Sequence, residues 1–133
     1  MTVELRMLML SIAFGLVHVL LTAHSTSRQR GYRWTASARD QAVPPLTGVS
    51  ARLERGLLNF YETLPFFICA VLVAHAVDLH NVYTESGALL YFWGRVAYLP
   101  LYALGVRIVR SIAWNVATLG IVLIVVALFM ERW

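Results

Sequence analysis

The chain has 133 residues, of which 59% are hydrophobic and only 14% charged, with a mean hydropathy of +0.69. A soluble domain carries about 25% charged residues, so an ordinary water-soluble protein is excluded. All eleven basic residues are arginine; they give a formal charge of +4, and in so apolar a chain basic residues report membrane topology rather than nucleic acid. A lone cysteine, Cys69, excludes an internal disulfide framework and any multi-cysteine metal site.

Crossing a hydrocarbon core of about 30 Å takes roughly 20 helical residues. Four apolar stretches approach that length: Met7 to Ala23, Leu57 to Val77, Gly87 to Val106 and Ile112 to Met130. They leave no room for a separate soluble domain, so a single unit of four spanning helices over residues 1–133 is predicted, all-α. Continuous apolarity over such lengths excludes the period-two alternation of barrel strands. The first stretch is too weakly preceded by basic residues, with Arg6 against Glu4, to be a secretory signal.

Between the first two stretches, His24 to Gly56 holds Arg28, Arg30, Arg33, Arg39, Arg52 and Arg55, with Gly31, Pro44, Pro45 and Gly48 as breakers. The connection from Asp78 to Ser86 holds no basic residue, whereas the last one holds Arg107 and Arg110. Only Arg6 and Arg132 lie at the termini, so both termini are predicted outside, with the first and third connections cytoplasmic. Trp34, Trp93, Trp114 and Trp133 include interface anchors, and the arginines of the first connection suit lipid headgroups.

Within the stretches, ionisable residues are expensive and need partners. Glu62 lies ten residues past Arg52, and Arg95 lies twelve before Arg107, which places both about 15 to 18 Å deep on antiparallel helices, where they are predicted to meet. Arg52, Arg55, Asn59, Glu62 and Phe66 step by three or four and form one stripe; Tyr91, Arg95, Tyr98 and Tyr102 form another. The stripes fit either a polar cleft rimmed by Arg55, Arg107 and Arg110 or a buried network that sets helix register. Pro65 and Pro100 lie inside spans and deprive the carbonyls of Tyr61 and Val96 of helical donors. His18 and His75 are single imidazoles without metal-ligand spacing, and are expected to pack in the core or at an interface. Cys69 lies mid-span among apolar residues, which disfavours a nucleophilic thiolate.

The segment from Arg52 to Phe67, with Glu54-Arg55, Asn59, Glu62 and Pro65, resembles the second-helix signature of the MAPEG family, the membrane-associated proteins of eicosanoid and glutathione metabolism. Gly94-Arg-Val-Ala-Tyr98, followed by Tyr102 and Arg110, resembles the third-helix signature and the basic residue beyond it. The likeness covers essentially the whole chain and is nearest the family's small bacterial branch, although Leu58 stands where a basic residue precedes the signature asparagine in the family's prostaglandin synthase. It implies an integral membrane four-helix bundle in a bacterial inner membrane, a homotrimer with sites between subunits, and glutathione as cofactor attacking a lipophilic small-molecule substrate. It further implies that Arg55, Asn59, Glu62, Arg95, Tyr98, Tyr102 and Arg107 hold the tripeptide while Arg110 stabilises its thiolate. The same fold also serves non-enzymatic lipid-binding or scaffold proteins, and a solute pathway on Glu62 and Arg95 ranks last for want of further carboxylates.

Overall fold

A computed structural model describes residues 1–132, without the side chain of Arg132; Trp133 lies outside them, and so does its predicted anchoring role. The described residues contain five α-helices and no strand: α1 (Val3–Arg30), α2 (Tyr32–Ala36), α3 (Gly48–Ala76), α4 (Val82–Ala103) and α5 (Arg107–Arg132). Three of them, α1, α3 and α5, are long and apolar enough to cross a membrane. α4 is not among these three, because its 22 residues include Glu85, Arg95 and four tyrosines.

The helices outrun the apolar stretches. Helix propensity does not stop where hydrophobicity does, and Ser, Gln and Arg continue α1 to Arg30, where Gly31 ends it at φ +94°. Arg52 and Arg55 therefore stand on α3, as their stripe spacing predicts, and Arg107 and Arg110 stand on α5 rather than in the last connection. The first connection reduces to α2 and residues 37–47. Pro65 and Pro100 both lie within continuous helices. α4 begins at Asn81, whose side chain accepts the N–H groups of Tyr83 and Thr84 while Thr84 returns a bond to the Asn81 N–H.

α1, α3, α4 and α5 pack around one cluster that includes Met7, Leu8, Phe67, Val71, Tyr91, Ala117 and Ile124. Between α4 and α5 the backbones meet: a Cβ on Gly87 would stand 2.5 Å from the Gly120 carbonyl oxygen, and one on Gly94 would stand 2.9 Å from the Ala117 nitrogen. Small residues permit this approach, which in lipid supplies the van der Waals contact that drives helix association. Leu16, Leu20, Phe66, Trp93, Ile108 and Phe129 point outward, as an apolar solvent allows. His18 is buried against Phe14 and Phe60, its Nε2 3.3 Å from the Leu53 carbonyl, in keeping with a core role. His75 is exposed, its ring 5.7 Å from that of His80.

One polar group is buried contrary to expectation. Glu4, which the sequence places among terminal residues, is 1% exposed; Thr84 donates to its Oε1 at 2.5 Å and His80 Nδ1 stands 3.3 Å from the same oxygen. This cluster joins the start of α1 to the start of α4, at the end of the molecule opposite the arginine-rich one.

Candidate functional site

Depth along α3 and α4 sorts the chemistry. Beneath the apolar cluster lies a polar layer centred on Arg95, which is 2% exposed. Its Nη1 donates to Asn59 Oδ1 at 2.8 Å, its Nη2 donates to Thr63 Oγ1, and its guanidinium carbon lies 5.7 Å and 5.4 Å from the ring centroids of Tyr91 and Tyr98. Thr63 also meets the Tyr91 hydroxyl at 3.3 Å, and Tyr91 stacks on Phe67 with centroids 4.0 Å apart. A guanidinium removed from water is tolerable in this setting because amide and hydroxyl acceptors and two π faces surround it.

The predicted Glu62–Arg95 contact does not form within the chain. Asn59 stands between them, accepting from Arg95 and donating through Nδ2 to Glu62 Oε2 at 3.5 Å. The reason is helical geometry: Asn59 and Thr63, one turn apart, face α4, while Glu62 is rotated away and exposed. The α3 stripe therefore divides, with Phe66 and Glu62 outward and Asn59 inward. The α4 stripe stays whole, since Tyr91, Arg95 and Tyr98 are all buried and the Tyr98 and Tyr102 rings lie 5.5 Å apart.

Above this layer, at the arginine-rich end, Tyr102 organises the cations. Arg55 Nε donates to its hydroxyl at 3.2 Å, and the Arg110 guanidinium carbon lies 4.6 Å from its ring centroid. Arg52 is used differently: its Nε donates to the Ala103 carbonyl at 2.8 Å, closing the end of α4 beside Gly105, which turns the chain at φ +76°. Arg107 is exposed and reaches the site only as a wall.

Two adjoining cavities result. One of about 470 Å³ is lined by Arg52, Arg55, Arg107, Ile108 and Arg110. The other, of about 270 Å³, is lined by Asn59, Tyr98, Arg110, Ser111, Trp114 and Asn115, and shares Arg110 and Ser111 with the first. Farther along the same two helices, an apolar groove of about 460 Å³ begins at Thr63 and Thr118 and continues past Phe66, Val122 and Val125. Among the described residues no arginine is in ion-pair range of a carboxylate; the ionic contacts there join His80 to Glu4 and Asp78. The cations at this end are thus left without acidic partners. Trp114 also keeps a buried indole N–H without an acceptor.

All eight predicted site residues lie in this region: Arg55, Asn59 and Glu62 on α3, Arg95, Tyr98 and Tyr102 on α4, Arg107 and Arg110 on α5. Sequence reasoning missed Thr63, Ser111, Trp114 and Asn115. Ser111, Asn115 and Thr118 do step by four and three along α5, a polar stripe that the strong apolarity of that span conceals.

No curated protein and no solved structure matches the chain. The MAPEG family does, over residues 7–130, an extent that takes in α3 and α4, most of α1 and α5, both polar layers and the arginine rim. The α3 and α4 signatures, brought together by the fold, and a match over almost the entire length lead to one conclusion: the chain is a membrane protein belonging to the MAPEG family.

Proposed function

We propose that the protein is a glutathione-dependent transferase or peroxidase that acts on lipophilic electrophiles in the membrane. The observation that carries this reading is the convergence of Arg55 and Arg110 on Tyr102, without acidic partners, at the head of an α3–α5 groove whose far part is apolar. A tripeptide with two carboxylates and one ammonium group requires forked cations for its acids and a carboxylate for its amine. Arg55 and Arg107 suit the first task. Glu62 suits the second, because it is exposed, its hydrogen bond within the chain comes from a neutral amide, and no described cation is in ion-pair range of it.

When bound, glutathione supplies a thiolate as nucleophile. Arg110, half-buried between Tyr102 and Ser111, is the cation placed to favour that thiolate. Arg95 and Asn59 hold the α3 wall in position, and Tyr98 closes the cavity floor. The groove from Thr63 to Val125 offers apolar surface for the substrate.

In this reading α4 is the fourth crossing, admissible despite its lower hydropathy because Tyr91, Arg95 and Tyr98 face protein rather than lipid. The arginine-rich end is cytoplasmic and both termini lie outside. Three copies complete the sites, with Glu62 and the groove presented to a neighbouring subunit.

The test is calorimetric titration of the purified protein in detergent with glutathione. Binding in the micromolar to millimolar range is expected, weakened about tenfold or more by Arg55→Ala and by Glu62→Ala. Arg110→Ala is expected to weaken binding less, by about 1 kcal/mol, and to lose turnover of a hydrophobic electrophile. Absence of binding to any thiol tripeptide overturns the proposal, and acyl chains held in the α3–α5 groove in its place would mark a lipid-binding protein instead.

A further inference from the structure

The first basic connection is a folded element. At its base Gln29 Nε2 donates to Thr47 Oγ1 at 2.6 Å, the Thr47 N–H donates back to Gln29 Oε1 at 3.2 Å, and the Ser25 and Ser50 hydroxyls meet at 2.6 Å. Above that base two guanidiniums lie over the Trp34 ring, Arg30 5.0 Å and Arg39 5.5 Å from its centroid. Its indole N–H donates to the Gln41 carbonyl at 3.3 Å.

Arg39 adopts φ +62°, a conformation rare for a residue with a side chain, and is held there by Nε and Nη2, which both donate to the Thr35 carbonyl at 3.2 Å. Its Nη1 is left free. Arg33 is exposed and makes no hydrogen bond, and Arg30 keeps a buried Nε–H without an acceptor. Arg33, Trp34, Ser37, Arg39 and Asp40 line a cavity of about 410 Å³. Residues 28–40 contain four arginines against one aspartate, a local charge of 4 − 1 = +3.

Two like charges drawn onto one indole, with no carboxylate in ion-pair range, form an arrangement that an anion relieves. Position along α1 identifies which anion. The apolar stretch ends at Ala23 and Arg30 follows seven residues later, about 10 Å farther along the helix, at the depth of lipid headgroups. Trp34 and the exposed Tyr32 are the amphipathic side chains favoured at that depth. A soluble anion would find the pocket only after displacing the phosphates already concentrated there.

We propose that the Arg33–Trp34–Arg39 pocket is a binding site for the phosphodiester of an anionic phospholipid, separate from the thiol site. Arg33 and the free Nη1 of Arg39 supply the donors, and the indole supplies the wall for the glycerol portion.

The experiment uses full-length protein, delipidated in non-ionic detergent and titrated with dioleoyl phosphatidylglycerol, dioleoyl phosphatidylcholine or inorganic phosphate. Bound lipid is followed by native mass spectrometry and stability by thermal unfolding. Phosphatidylglycerol is expected to remain bound and to raise Tm, and phosphatidylcholine is not. The Arg33→Gln/Arg39→Gln variant should weaken phosphatidylglycerol binding about tenfold or more, whereas Arg6→Gln at the opposite end should leave it unchanged. If loss of the Arg39–Thr35 bonds prevents folding of the double variant, Arg33→Gln alone carries the test, since Arg33 makes no hydrogen bond. Equal retention of both lipids, undiminished phosphatidylglycerol binding in the folded variant, or equal stabilisation by inorganic phosphate overturns the proposal.

Discussion

Arg110 lays its guanidinium over the ring of Tyr102, 4.6 Å from the centroid, although the two belong to different helices and neither has an acidic partner. Tyr102 simultaneously accepts from Arg55 through its hydroxyl. One aromatic side chain therefore holds two cations at a fixed spacing, where two carboxylates would have neutralised them. A site meant to receive an anion needs cations that are positioned but not quenched, and a tyrosine provides this.

That double contact can be separated by substitution. Tyr102→Phe removes the hydroxyl acceptor of Arg55 and keeps the ring beneath Arg110; Tyr102→Leu removes both. Glutathione binding is expected to weaken by about 1 kcal/mol in the first variant and by about 2 kcal/mol in the second, read by calorimetric titration. Equal losses in the two would show that the ring contributes nothing.

Buried Arg95 and half-buried Asn59 form a pair whose members depend on each other. Asn59→Ala leaves a guanidinium nitrogen in the interior without its acceptor and should lower stability in detergent by about 1 to 3 kcal/mol. Replacing both residues with apolar side chains should cost less than the two single changes added together, which a double-mutant cycle from thermal or denaturant unfolding measures. Strict additivity would contradict the coupling.

The α4–α5 seam predicts sensitivity to a single methyl group. Gly87→Ala puts a Cβ 2.5 Å from the Gly120 carbonyl oxygen and 2.7 Å from Ile124 Cγ1; the first is backbone and cannot swing aside, so the helices must separate. A loss of about 1 to 3 kcal/mol is expected from overpacking, seen as a lower unfolding midpoint. Gly48→Ala, at a glycine with open space around it but φ +59°, should act only through backbone strain, by about 1 kcal/mol. Similar losses in both would argue against close contact at the seam.

At the opposite end, Glu4→Ala should release α1 from α4 by depriving the Thr84 hydroxyl and His80 of their common acceptor. About 1 kcal/mol of stability is expected to go, with faster amide exchange in the first turns of α1 and α4. Glu4→Gln keeps a carbonyl acceptor for Thr84 and should retain part of that stability.

How far the site was legible depended on whether a contact followed helical spacing. Tyr91, Arg95, Tyr98 and Tyr102 lie at spacings that put them on one face of any helix, and they share one. Glu62 and Arg95 were matched in depth, but depth does not determine rotation. Asn59, facing α4 on the same helix, takes the guanidinium in place of Glu62. Glu4 was invisible for a different reason: its partners Thr84 and His80 lie about eighty residues away, and its burial depends on where α1 begins relative to α4.

The sequence by itself determined that the chain is helical, apolar enough for a membrane and asymmetric in charge, because length, hydropathy and arginine placement are properties of the chain that no packing alters. Its motif spacing also carried the family, which the match over residues 7–130 bears out. Only the tertiary structure decided which arginines remain available. Arg52 is taken up by the end of α4 and Arg95 by the core, while Arg30 and Arg39 gather at Trp34 and Arg55 and Arg110 at Tyr102, without acidic partners. The arginines differ in sequence only by position; Arg52, Arg55, Arg95 and Arg110 take partners from other helices, and there distance in space rather than along the chain assigns the role.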